Sequence, residues 1–219
     1  MAELKLKNIR VIRQRFELNI PSLSAHSGKI LGVMGKSGCG KSTLLQVIAG
    51  FEKNMEGEIF LDEKEMTYIP AENRKMALVF QRPALFSQLT VLENVCFGLK
   101  IQHLPKNEQI ARSLFWLKRL GLEHLKDFLP HQISGGEAQR VALARSVVVN
   151  FPVLLLDEPF SALDSQSRGE SRKAVRDVVS EMGLIGVLVS HDLDDIKSVA
   201  DDYCLMESGR IVKFETVKY

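Results

Sequence analysis

Eight consecutive residues, Gly35-Lys36-Ser37-Gly38-Cys39-Gly40-Lys41-Ser42, fit the pattern G-x-x-x-x-G-K-[ST]. Glycines in such a run let the backbone take left-handed turns, so successive N–H groups point inward. With the N-terminus of the helix that follows, those donors form a nest for phosphates. Lys41 is placed to reach the terminal phosphates and Ser42 to ligate Mg2+, with Thr43 supporting the α-phosphate. Cys39 lies inside the nest beside Lys41, where a thiolate is favoured, so alkylation is expected to block nucleotide binding and bound nucleotide to protect.

Three further groups of residues could act on a bound phosphate. Val153-Leu-Leu-Leu-Asp157-Glu158 ends an apolar run in two acids. Asp157 suits a metal ion held through water, and Glu158, one residue later, points elsewhere and can polarise an attacking water. An acid pair at a strand end is also how a solvated loop begins, but the phosphate loop upstream turns the reading toward hydrolysis. Ser134-Gly135-Gly136-Glu137 places a hydroxyl N-cap, two small residues and an acid at the start of a helix, where the dipole favours an anion. His191 follows the run Val187–Ser190 and stands at another strand end. The remaining histidines, His26, His103, His124 and His131, read as solvated.

The elements that must position these groups are visible as periodicities. Leu4 and Leu6 alternate with lysines, and Phe16, Leu18 and Ile20 with polar residues, the period of a half-buried antiparallel sheet. Gly57–Asp62 reads as another short strand. Lys29–Met34, Val153–Leu156 and Ile185–Val189 are apolar on both faces, as buried parallel strands are. Helices are expected at Ser42–Ala49, Glu108–Leu120, Glu137–Val149 and Arg168–Met182, the last as the crossover of a βαβ unit. Tyr203–Met206 and Arg210–Phe214 flank Ser208-Gly209 as a closing hairpin.

At 219 residues the chain fits one α/β domain with a second lobe inserted in it. A net charge of +2 gives no electrostatic case for nucleic acid. Three cysteines without disulfide or metal spacing fit a reducing compartment. The N-terminus has no apolar signal core, and no stretch reaches the 18 or so apolar residues of a membrane span. A soluble protein is expected, whose membrane part, if any, another chain supplies.

Taken together, the motifs resemble the ATP-binding cassette (ABC) transporter ATPases. Ile133-Ser134-Gly135-Gly136-Glu137 followed by Ala-Gln139-Arg140 resembles the signature usually written Leu-Ser-Gly-Gly-Gln, departing at Ile133 and Glu137. Gln81 resembles the Q-loop glutamine, Ser161-Ala-Leu-Asp164 the D-loop and His191 the switch histidine, all in the family's order. The resemblance implies a P-loop NTPase (RecA-like) core with an N-terminal antiparallel β subdomain and an inserted α-helical subdomain. Residues 1–82 and 150–219 would form the core and 83–149 the helical subdomain. It implies catalytic roles for Glu158, His191, Gln81 and Lys41. Nucleotide contacts would run from Gly35 through Thr43 and include Ser134, Gly135 and Gly136; magnesium contacts would come from Ser42, Gln81 and Asp157. ATP and Mg2+ are the expected cofactors.

The partners implied are a second cassette, sandwiching ATP between facing copies, and transmembrane permease subunits whose coupling helices dock after Gln81. Phe86 is the expected exposed contact there; Leu89 and Leu92 could equally pack in the core. Localisation would be cytoplasmic, peripheral on the inner face of the membrane. The segments around Gln81–Val91 and Pro130–Gly136 look like importers for thiamine, iron, molybdate or polyamines. The alternatives are a two-component exporter or a non-transport ABC ATPase. Coiled-coil DNA-repair ATPases fit less well, because Lys41 and Ser134 are 93 positions apart without sustained heptads. A small-molecule kinase would have no use for the signature or D-loop. The chain ends at Tyr219, just after the hairpin, so the C-terminal regulatory domain of some importers is not expected. Many relatives carry an adenine-stacking aromatic near position 12. Here Val11-Ile12-Arg13 stands instead and Phe16 fits the buried face of its strand, so weaker aliphatic contact with adenine is expected.

Overall fold

The computed structural model describes residues 2–13, 16–53 and 55–217. Its N-terminal strands β1 (Glu3–Arg13) and β2 (Phe16–His26) pair antiparallel, and β4 (Met55–Leu61) pairs with the other side of β1. Leu4 and Leu6 are buried, but so are Ile9 and Val11, so the inward face switches from even to odd positions along one strand. The switch occurs at Asn8, where φ is 51° and the pairing with β4 shifts register. This bulge lets one strand keep its apolar side chains on the core across a bend.

The remaining strands are β3 (Lys29–Met34), β5 (Lys64–Glu65), β6 (Met76–Val79), β7 (Val153–Asp157), β8 (Ile185–Ser190), β9 (Asp202–Glu207) and β10 (Arg210–Thr216). All ten form one sheet in the order β5-β4-β1-β2-β10-β9-β3-β8-β7-β6. β9, β3, β8, β7 and β6 run parallel, and β9 and β10 form the expected antiparallel hairpin. Alternate residues of β7 serve two cores. Val153 and Leu155 pack with α1 (Lys41–Ala49) on one face; Leu154 and Leu156 pack on the other with α4 (Gly135–Val147), α5 (Ser165–Met182) and α6 (Leu193–Val199). Burial on both faces explains why this strand lacks polar alternation.

Helix α2 (Val91–Ile101) occupies sequence to which no element was assigned above. Its start is fixed by a capping box: Thr90 Oγ1 accepts from the N–H of Glu93, and the Glu93 carboxylate accepts from the N–H of Thr90. With α3 (Lys106–Arg119) and α4 it buries Val95, Leu99, Leu117 and Val141. No described helix is long and apolar enough to cross a membrane. The three cysteines are free thiols.

Candidate functional site

The site lies at the carboxyl edge of the central parallel strands, where ligands of open α/β sheets sit. Register explains the convergence: Met34 pairs with Ser190, Asp157 with Val189, and Val79 with Leu156. The residues that leave these strands therefore emerge side by side. The phosphate loop follows β3, Glu158 follows β7, His191 follows β8 and Gln81 follows β6. A cleft of about 530 Å3 collects Ser37, Gly38, Gly40, Lys41, Ser42, Thr43, Gln81, Asp157, Glu158 and His191 on one chain.

The loop turns at Gly38 (φ 81°) and Gly40 (φ 109°), backbone geometry closed to most side chains. Lys41 is 5% exposed and donates from Nζ to the carbonyl of Gly35 at 2.7 Å. The same nitrogen stands 3.4 Å from Glu158 Oε1. Ser42 Oγ donates to Asp157 Oδ1 at 3.1 Å. Burial pushes the Asp157 carboxyl above its ordinary value, opposed by that hydrogen bond. Glu158 is held at φ 47°, left-handed for a residue with a β-carbon, and its N–H donates to the carbonyl of Val189. That backbone aims its carboxylate into the cleft, where Oε2 bonds His191 Nδ1. Gln81 Nε2 donates to Ser161 Oγ at 3.0 Å, and Ser161 Oγ to the carbonyl of Glu158.

Two readings need correction here. Cys39 is 7% exposed and packs with the core, its Sγ lying against Gly35, so burial opposes the expected alkylation. Phe16 does face the core on one side, but its ring also borders the cleft and lies against Gly40, beside Arg13. Sequence alone missed this because the ring's second neighbour is a glycine distant along the chain.

Ser134, Gly135 and Gly136 do not line this cleft. Ser134 and Gly135 are exposed at the first turn of α4, while Gly136 is buried against Ser167, which a β-carbon at Gly136 would approach to 2.6 Å. Ser134 Oγ accepts from the Glu137 N–H, and Glu137 Oε2 accepts from the Ser134 N–H at 2.7 Å. Glu137, the departure from the usual glutamine, thus completes a capping box. Ser134→Ala is expected to lower stability by about 1 kcal/mol, read as a shift in urea midpoint. The Ser134 donors hold the Glu137 carboxyl below its ordinary 4.5. Its contribution is therefore complete above that value and lost as pH falls through the lower folded one.

Asp164 caps α5 by accepting from the Ser167 N–H at 3.0 Å. Phe86, expected to be exposed, is half-buried, its ring 4.3 Å from that of Phe97. Leu89 and Leu92 are also half-buried, and Leu92 packs on the second core. Phe80, at 46% exposed, is the more open aromatic of this region.

A profile of the ABC transporter family matches residues 18–161, a stretch that contains the phosphate loop, Ser134–Gly136 and Glu158. Over 190 residues the chain is 42% identical to the spermidine/putrescine import ATP-binding protein of Vibrio cholerae, covering 87% of this chain and 50% of that protein. Over 216 residues it is 41% identical to the sulfate/thiosulfate import ATP-binding protein of Cucumis sativus, covering 95% and 62%. The chain thus spans between half and about three fifths of the length of these relatives. A solved dimeric ATP-binding cassette, in a post-hydrolysis state bound to ADP and Pi, superposes with a TM-score of 0.85 at 30% identity over 99% of both chains. Its motifs, its sheet and these matches agree: the chain belongs to the ABC transporter family.

Proposed function

We propose that this chain binds and hydrolyses ATP as the cassette of an ABC importer, working as a pair of copies beneath separate membrane subunits. One observation carries the proposal: Lys41, Ser42, Gln81, Asp157, Glu158 and His191 share one cleft, whereas Ser134 and Gly135 at the start of α4 are exposed outside it. An exposed helix N-terminus with two small residues suits a phosphate held by another copy. Two-fold pairing would complete two sites, with Asp164 also near the partner. The names of the relatives above support import, and the dimeric neighbour supports pairing.

The chemistry follows from the donors present. Glu158 accepts a proton from water as that water attacks the γ-phosphorus; the bond to the bridging oxygen breaks and ADP leaves. Lys41 and the loop amides offset the charge on the phosphates, and His191 and Gln81 border the attacking side. The Ser42, Asp157 and Gln81 oxygens share the cleft and fit a magnesium ion, with phosphate and water for the remaining positions. Bound there, the ion would neutralise phosphate charge.

We assign residues 83–149 to an inserted helical subdomain and 1–82 with 150–219 to the core. Direct parallel pairing of β6 with β7, on either side of that insert, supports the division. The membrane-facing surface would be the loop after Gln81, with Arg82, Ala84, Ser87 and Gln88 exposed. Fully buried Asn94 fixes its shape, accepting from the N–H of Phe86 and donating to the carbonyls of Phe86, Leu89 and Thr90. Phe86 serves that surface as a packed support. A cytoplasmic, membrane-peripheral location accompanies this reading.

The purified chain is expected to hydrolyse Mg-ATP with a Hill coefficient above 1 and a specific activity that rises with protein concentration. Hydrolysis strictly proportional to protein, with simple saturation by ATP, would show a self-sufficient monomer and end the paired-site reading.

A further inference from the structure

Helix α4 does more than present Ser134. Gln139, 4% exposed, donates from Nε2 to the carbonyl of Phe80 at 3.2 Å. Six residues on, roughly 9 Å along the axis, Arg145 donates from Nη1 to the carbonyl of Ala84 at 2.7 Å. Its guanidinium also lies 5.5 Å from the centre of the Phe86 ring. These two carbonyls bracket the segment that carries Gln81. Neither is served by a sheet partner, since β6 ends at Val79. One helix therefore grips both sides of the loop that reaches into the nucleotide cleft, while its own first turn exposes Ser134 and Gly135. At that first turn Gly136 is packed on Ser167, so the helix start is seated against α5 and the Asp164 cap.

Burial adds weight to the arrangement. Desolvation holds the Arg145 guanidinium below its ordinary value; among the described residues it meets the Ala84 carbonyl and the Phe86 ring, with no carboxylate hydrogen bond or salt bridge. A cation kept half-buried in this way fixes geometry better than it adds stability, because the planar guanidinium meets the carbonyl and the ring in one orientation.

We propose that Gln139 and Arg145 are positioning residues that clamp the Gln81 loop to the signature helix, so that nucleotide at one site sets the alignment of the Ser134 cap over the other. The inference rests on the paired-site reading given above. It predicts coupling between sites without direct contact of either side chain with ATP.

The test uses Glu158→Gln protein, in which slow hydrolysis lets the ATP-bound dimer accumulate. Monomer affinity for ATP is measured at protein concentrations too low for pairing, and the dimer dissociation constant at saturating Mg-ATP by sedimentation. Gln139→Leu and Arg145→Met are each expected to weaken dimerisation about tenfold, with monomer affinity within about twofold of the parent. Arg145→Lys, which keeps a donor for the Ala84 carbonyl, is expected to recover most of the loss. Gln139→Leu decides the matter if Arg145→Met folds poorly. Unchanged dimerisation in Gln139→Leu, and in Arg145→Met where it folds, alongside lowered thermal stability would reduce the clamp to ordinary packing and overturn the proposal. Monomer affinity falling in step with dimerisation would also overturn it, by showing damage to the cleft itself. If the Glu158→Gln parent does not pair in Mg-ATP, the paired-site reading falls first and takes the clamp with it.

Discussion

Glu158→Gln is expected to lower the rate of ATP hydrolysis by on the order of 10²-fold or more, with ATP binding retained. The substitution is nearly isosteric, and an amide still reaches His191 Nδ1 and the neighbourhood of Lys41, so the cleft should keep its shape. What it loses is the one carboxylate aimed into the cleft by a left-handed backbone at φ 47°. Asp157 is poorly suited to replace it, because its Oδ1 accepts from Ser42 and burial already disfavours its charge. The two acids thus divide their work by position: one beside the hydroxyl that opens α1, one beside the histidine that follows β8. Single-turnover hydrolysis with radiolabelled ATP, run beside equilibrium nucleotide binding, measures both halves of the expectation. Wild-type turnover in the variant would remove Glu158 from the proton transfer. Loss of binding instead would mean that Glu158 shapes the cleft and would leave its chemical role without support.

Much of the architecture was legible because burial leaves a periodic mark. Lys29–Met34 and Ile185–Val189 are apolar at successive positions only because sheet faces on both sides are covered, and they emerge as β3 and β8. The cleft was legible through strand register. Once Met34 lies beside Ser190 and Val189 beside Asp157, the residues that follow those strands must meet. Less legible was α2, whose apolar residues follow a loop of similar composition. The Thr90-x-x-Glu93 pattern was the available signal. The seven residues of α6 were too few for periodicity to reveal, although Asp192 caps them by accepting from Asp194 and Asp195. Phe86 misled because an aromatic in a loop reads as an exposed contact, whereas its neighbours Phe97 and Arg145 come from helices later in the chain. The clamp of Gln139 and Arg145 was invisible for the same reason. Each side chain meets a backbone carbonyl some sixty positions earlier, and no spacing rule encodes such a pair.

Phe16→Ala is expected to weaken ATP binding by about 10- to 100-fold, because stacking of a base on an aromatic ring is worth about 1–3 kcal/mol. Phe16, at the start of β2, and Arg13, at the end of β1, border the cleft that holds Lys41 and Thr43. Arg13 is held by Glu52 and Gln46, which keeps its guanidinium beside the loop. The ring itself is fixed against Gly40, where any β-carbon would stand 2.5 Å from its edge. A flat, half-buried ring next to a phosphate loop would offer the purine a stacking platform, here from the start of β2. Phe16→Tyr or Phe16→Trp should then bind ATP within a few-fold of the parent, whereas Phe16→Leu, similar in hydrophobicity but without a π-face, should resemble the alanine variant. Binding of inorganic triphosphate, which has no base to stack, provides the internal control and should be unaffected by all four. A Phe16→Leu variant with parental ATP affinity would return Phe16 to a purely packing role, as would triphosphate binding that falls together with ATP binding.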